Sequence, residues 1–176
     1  LTARNPNYQH LTKEELLQEW EDIKEHGSLV HKELESYIKD GEEPCEDEAL
    51  AGQEWYDDNI NNYGDKVFSE ITVFSKKLNI AGTVDLLVYN SRNKRCYMFD
   101  WKTTKKDLYD GRKNAITSAC KGLKDNRFNH YSLQLSMYAY LLEKEHGITV
   151  NGMYMVQLFA DYADCVEADD LQYNVN

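Results

Sequence analysis

Ile80-Ala81-Gly82-Thr83-Val84-Asp85-Leu86-Leu87-Val88-Tyr89, followed six residues later by Cys96-Tyr97-Met98-Phe99-Asp100-Trp101-Lys102, decides how this chain reads. Both segments are rich in β-branched and aromatic residues, and the polar run Asn90-Ser91-Arg92-Asn93-Lys94-Arg95 between them supplies a turn, so they predict a hairpin. If it folds about Arg92 and Asn93, Asp85 lies opposite Asp100, Leu87 opposite Met98 and Thr83 opposite Lys102. Val84, Leu86, Val88, Tyr97, Phe99 and Trp101 then form one apolar face suited to packing on helices.

The same register places two carboxylates across neighbouring strands, with Cβ atoms only about 5 Å apart, where like charges destabilise. A divalent cation would offset the repulsion. Lys102, two residues beyond Asp100 and roughly 6.6 Å along the same strand face, could add positive charge. By itself an Asp-x-Lys pattern reads as an ordinary surface ion pair, so the neighbouring segments have to discriminate.

Outward from the hairpin, Val67 to Phe74 predicts a preceding strand. Toward the N-terminus, Thr12-Lys13-Glu14-Glu15 fits a capping box, and Leu16, Trp20 and Ile23 then recur at helical spacing. That helix is expected to run to about His26 and to break or bend at Gly27. Ser28 is expected to cap a second helix carrying Val30, His31, Leu34, Tyr37 and Ile38 to Asp40-Gly41, and a third covers Asp47 to Ile60. Downstream, 103–130 reads as a loop with a short helix near Ala115 to Lys121. Asn129 to His146 is a helix closed by Gly147, and Met153 to Phe159 a further strand. The order indicates an α/β domain over 1–176, helical over about 12–62 and with the catalytic sheet and helices over about 66–159.

The 176 residues, 41% apolar and 29% charged, hold no apolar run near the roughly 18 residues of a membrane span. Cys45, Cys96, Cys120 and Cys165 are widely separated and read as reduced thiols of an intracellular protein. The opening Leu1-Thr2-Ala3-Arg4-Asn5-Pro6 has neither an initiating Met nor a secretory pattern and suggests a fragment or processed chain. The net charge of -11 argues at first against a polyanionic partner. Its distribution argues the other way: 13–58 is acid-rich, as is the stretch from Asp161 to Asp170. Lys105, Lys106, Arg112, Lys113, Lys121, Lys124 and Arg127 fall in a basic segment that also holds Arg92, Lys94 and Arg95.

The segments Gly82-Thr83-Val84-Asp85 and Asp100-Trp101-Lys102 together resemble the PD-(D/E)XK nuclease superfamily. Gln134-Leu135-Ser136-Met137-Tyr138, and the helix Gly27-Ser28-Leu29-Val30-His31, are similar to the RecB-like branch in particular. The resemblance spans 27–138 and implies a restriction-endonuclease-like core, a central mixed sheet flanked by helices. It further implies a metal-dependent DNA nuclease, an exonuclease or flap-trimming enzyme of replication, recombination or repair, using one or two Mg²⁺ or Mn²⁺ ions. His31, Asp85, Asp100 and the Trp101 carbonyl are the implied ligands. Lys102 would position or deprotonate the attacking water, and Glu70 occupies a strand position where the family often carries an acid near a second metal.

Gln134 and Tyr138, four apart on one helix face, would touch the DNA backbone or brace the site; a helix-packing Tyr with a solvated Gln is the alternative. The basic segment would contact DNA that is single-stranded or has single-stranded ends, with a helicase or another recombination protein as a possible partner. Family members that carry an iron–sulfur cluster hold it by one early and three late cysteines, a pattern this chain lacks, so no cluster is expected. An RNA-directed, cap-snatching-like endonuclease and a non-catalytic nucleic-acid clamp are the alternatives.

Overall fold

The computed structural model describes residues 8–111 and 113–175. Helix α1, Lys13–Asp40, begins at the capping box. The Thr12 hydroxyl accepts the Glu15 N–H at 3.2 Å, and the Glu15 carboxylate accepts the Thr12 N–H at 2.7 Å. It is one helix of 28 residues, where the sequence suggested two. A mid-helix glycine costs only about 1 kcal/mol relative to alanine, which burial of Leu16, Val30 and Leu34 along the same helix outweighs. Ser28 therefore caps nothing; its hydroxyl donates back to the Lys24 carbonyl at 2.9 Å. Gly27 instead lets another segment approach, since a Cβ there would lie 3.2 Å from Thr103 Oγ1.

Helix α2, Asp47–Asn59, follows a corner tied by Glu33, whose carboxylate accepts the N–H groups of Cys45 and Glu46, both at 2.9 Å. After a 3-10 turn at Ile60–Asn62 come strands β1 (Lys66–Ser75), β2 (Ile80–Asn90) and β3 (Arg95–Lys102), then α3 (Arg127–His146), β4 (Val150–Leu158), β5 (Ala163–Glu167) and α4 (Gln172–Val175). The sheet order is β1-β2-β3-β4-β5. The first three strands form an antiparallel meander, α3 crosses over to make β4 parallel to β3, and β5 returns antiparallel. The protein is thus α/β, a mixed five-stranded sheet flanked by helices. Val30, Leu34 and Ala49 of α1 and α2 pack with Leu86, Val88, Phe99 and Trp101 on one face. Leu135, Ala139 and Leu142 of α3 pack with Leu87, Met98 and Met155 on the other.

The hairpin pairs Leu87 with Met98, as the turn requires, but its ladder ends at Leu86↔Phe99. The expected pairs Asp85/Asp100 and Thr83/Lys102 are not formed as ladder pairs, because Asp85 Oδ2 accepts the Trp101 N–H at 2.8 Å in place of a backbone carbonyl. Val84 also departs from expectation, packing with the α3 cluster and not with Leu86 and Val88. The cause lies one strand over. Glu70 has φ 54°, and β1 pairs Ser69 with Leu86 and Ile71 with Val84, with no pairing of Glu70 to Asp85. Val67 accordingly packs on the α1/α2 side, while Ile71 and Val73 pack on the α3 side. Both strands turn over at the same point, so the register survives and the faces exchange.

The short helix expected near Ala115 to Lys121 is absent among the described residues. Ala115 N–H donates to Leu123 O and Asp125 N–H to Lys113 O, both at 2.9 Å, around a bridge between Asn114 and Lys124. Ile116, Thr117 and Ser118 are poor helix formers and Gly122 has φ 96°, so a closed loop prevails. Strand β5 and helix α4 emerge from the acid-rich tail, where composition had suggested only a solvated face. Among the described residues no helix is long and apolar enough to cross a membrane.

Candidate active site

Next to the turnover at Glu70 and Asp85 lies a cavity of about 410 Å³ beneath α1, lined by Lys24, His31, Lys32, Glu35, Glu70 and Asp85 among others. His31 reaches in from α1, with Nδ1 3.5 Å from Asp85 Oδ2. Glu70 enters from β1 with the left-handed backbone already noted, a conformation costing roughly 1–2 kcal/mol for a residue with a Cβ. One ligand atom each from His31, Glu70 and Asp85 lie within 4.8 Å of one another.

Asp100 and Lys102 stand beside this group. Both side chains are nearly enclosed, 4% and 14% exposed, and the Lys102 ammonium directly contacts Asp100 Oδ2, which has no other polar partner among the described residues. The same ammonium lies 4.4 Å from the centroid of the Tyr131 ring, a cation–π contact.

Two carboxylates here, those of Asp85 and Glu70, are shifted against ionisation. Burial, then the Asp100 charge, push the Asp85 carboxyl well above the ordinary carboxylate range, against the pull of Lys102 and the Trp101 N–H. Glu70 is raised by burial and by Glu35. His31 is lowered, first by burial and then by Lys102, while Asp100 and a hydrogen bond to the Trp101 backbone pull the other way. Burial, the largest influence, would lower Lys102 as well, but the charge and hydrogen bond of Asp100 together with Asp85 and Tyr131 hold the ammonium above its usual value.

These residues fit a hard divalent cation. Ligands around Mg²⁺ sit at about 2.0–2.1 Å, hence up to about 4.2 Å from one another, a spacing His31, Glu70 and Asp85 approach before any adjustment. Carboxylates disfavoured as anions by burial, next to a buried Asp100 oxygen whose one polar contact among the described residues is Lys102, are the groups such an ion would relieve.

The other expected contacts divide. Arg127 and Lys106 line a larger groove beside the cavity, and Lys105 lines it while bound to Glu48 at 3.2 Å. Lys113, Lys121 and Lys124 are exposed on the closed loop and line neither space. Arg112 lies outside the described residues. Gln134 donates to the Tyr138 hydroxyl at 3.0 Å, and neither residue lines the cavity or the groove. Tyr138 braces β2, because a Cβ on Gly82 would come 2.3 Å from its ring. Gly82→Ala is therefore expected to destabilise the protein by about 1–3 kcal/mol through overpacking, read as a lower midpoint in urea with the slope unchanged.

Sequence reasoning passed over three residues here. Gln157, in β4, donates to the carbonyls of Thr104 and Lys106 at 2.7 and 3.2 Å and so anchors the segment after Lys102. Tyr131 was an unremarked helix residue. His26, which has no supporting motif, lies 3.6 Å from Glu46 and 3.4 Å from Glu48, joining α1 to α2 next to Lys105. A buried Gln within an apolar strand was a signal for the first; the other two depend on contacts between distant segments.

No family profile matches this chain, and no curated protein is significantly similar to it in sequence.

Proposed function

We propose that the protein is a metal-dependent deoxyribonuclease with a restriction-endonuclease-like core of the RecB-like kind, an exonuclease or flap-trimming enzyme that hydrolyses phosphodiester bonds. One observation carries the reading. His31, Glu70 and Asp85 come from three separate elements to within 4.8 Å of one another, beside the enclosed Asp100–Lys102 pair.

His31, Glu70 and Asp85 would hold the cation, with Asp100 and the Trp101 carbonyl alongside. Bound there, Mg²⁺ or Mn²⁺ would supply Lewis acidity toward the phosphate and acidify water near neutral pH. The lowered His31 is neutral at pH 7 and offers a lone pair. Lys102 stays protonated beside Asp100, so it acts as a hydrogen-bond donor that orients water or carries charge on a phosphate oxygen, and does not serve as the base.

The test is end-labelled DNA incubated with the protein and Mg²⁺ or Mn²⁺. Metal-dependent cleavage is expected, abolished by excess chelator and restored by added metal. Activity that persists in chelator, or RNA cut in preference to DNA, would overturn the assignment.

A further inference from the structure

The larger groove, about 990 Å³, leads away from the candidate site, and His31 lines both spaces. Its two walls differ in chemistry. One is the N-terminal half of α1, which presents Trp20 and Ile23, 44% and 60% exposed although they continue the helix's buried stripe. Tyr8 packs edge-on against Trp20, ring centroids 6.3 Å apart, and holds the indole in place. Glu19 and Asp22 flank it on the same wall. The opposite wall comes from 102–106 and the start of α3. Two of its cations are engaged, Lys102 with Asp100 and Lys105 with Glu48, whereas Lys106 and Arg127 make no ion pair among the described residues.

A single nucleic-acid strand has two unlike edges, anionic phosphates along one and flat apolar bases along the other. A duplex turns phosphates outward on both sides. The groove matches the first and opposes the second, because Glu19 and Asp22 would repel a phosphate edge laid against α1.

We infer that this groove holds single-stranded DNA leading into the candidate site, with phosphates along Lys106 and Arg127 and a base stacked on Trp20. The chemistry at the end of the strand and the choice of DNA over RNA rest on the nuclease reading; the binding of a single strand does not. Trp20 is a positioning residue that selects the substrate class, remote from the reacting atoms.

The experiment measures anisotropy of a labelled oligothymidylate of about ten nucleotides, within the usual span of a single-strand groove, with the full chain in chelator so that nothing is cut. Trp20→Ala is expected to weaken binding about tenfold, the loss of one stacked base, while Trp20→Phe keeps most of it. Lys106→Ala and Arg127→Ala should each reduce the salt slope by about 0.7. Trp20 is exposed, so these variants are expected to melt with the parent. A blunt duplex should bind more weakly than the single strand. The inference is overturned if Trp20→Ala binds like the parent, if the duplex binds as tightly as the single strand, if no DNA binds, or if oligouridylate is preferred. Binding as expected without metal-dependent cleavage keeps the groove and removes the nuclease; cleavage with Trp20→Ala binding unchanged does the reverse.

Discussion

Asp85→Asn is expected to abolish metal-dependent cleavage while making the metal-free protein more stable. In the proposed site the carboxylate would offer a ligand atom and charge, and removing even one positioned electrostatic group from a reaction centre costs about 10²–10³ in rate. Stability moves the other way because burial and Asp100 raise the Asp85 pKa in the fold. A carboxyl raised above its unfolded value contributes stability fully below the ordinary carboxylate range and loses it as pH rises through the folded value. Asparagine keeps an oxygen for the Trp101 N–H and carries no charge to bury. In chelator, Tm of the variant should match the parent in acid and exceed it by about 2–4 °C per kcal/mol gained as pH rises. Added Mg²⁺ should raise the parent's Tm and leave the variant's unchanged. Equal melting at every pH, or a variant that still cuts, would remove Asp85 from the role given to it.

Lys102→Met should remove activity just as thoroughly and destabilise the protein. Among the described residues Asp100 Oδ2 has no polar partner besides the Lys102 ammonium, and the Asp100 side chain is 4% exposed. Deleting one member of a buried pair strands the other, at about 3–5 kcal/mol, or a fall in Tm on the order of 10 °C for a chain of this length. Asp100→Asn combined with Lys102→Met should recover most of the lost stability and none of the activity, since the stranded charge is gone but the donor to the phosphate is not restored. The two single variants thus agree in activity and differ in the sign of the stability change. A Lys102→Met protein as stable as the parent would show that the pair is not what holds Asp100 in the fold.

Much of the architecture follows from local features of the chain. Strand propensity and the polar turn at 90–95 set the β2–β3 register through Leu87↔Met98, the Thr12 box starts α1, and Gly147 ends α3 with φ 66°. Each acts within a few residues, so a linear reading recovers it. The same reading brings Asp85, Asp100 and Lys102 forward as a set through the hairpin's register, whereas His31 comes forward only through the family resemblance of its helix.

Tertiary structure decided what depends on distant segments meeting. Gly27 stays inside one helix because packing over its full length outweighs a local penalty, and Thr103 comes to rest against it. Glu70 joins His31 and Asp85 because β1 and β2 turn over together, which no pattern in either strand announces. The ladder stops at Leu86↔Phe99 because a carboxylate takes the Trp101 N–H, and Asp100 falls to Lys102 instead of facing Asp85 across a continued pair. Trp20 repeats the core spacing of α1 yet stays uncovered, since that half of the helix walls a groove. Residue type and spacing settled which groups could do chemistry; the packing of helices on a turned-over sheet settled which of them share a site, because burial and charge act between whatever surfaces the fold brings together, however far apart in the chain.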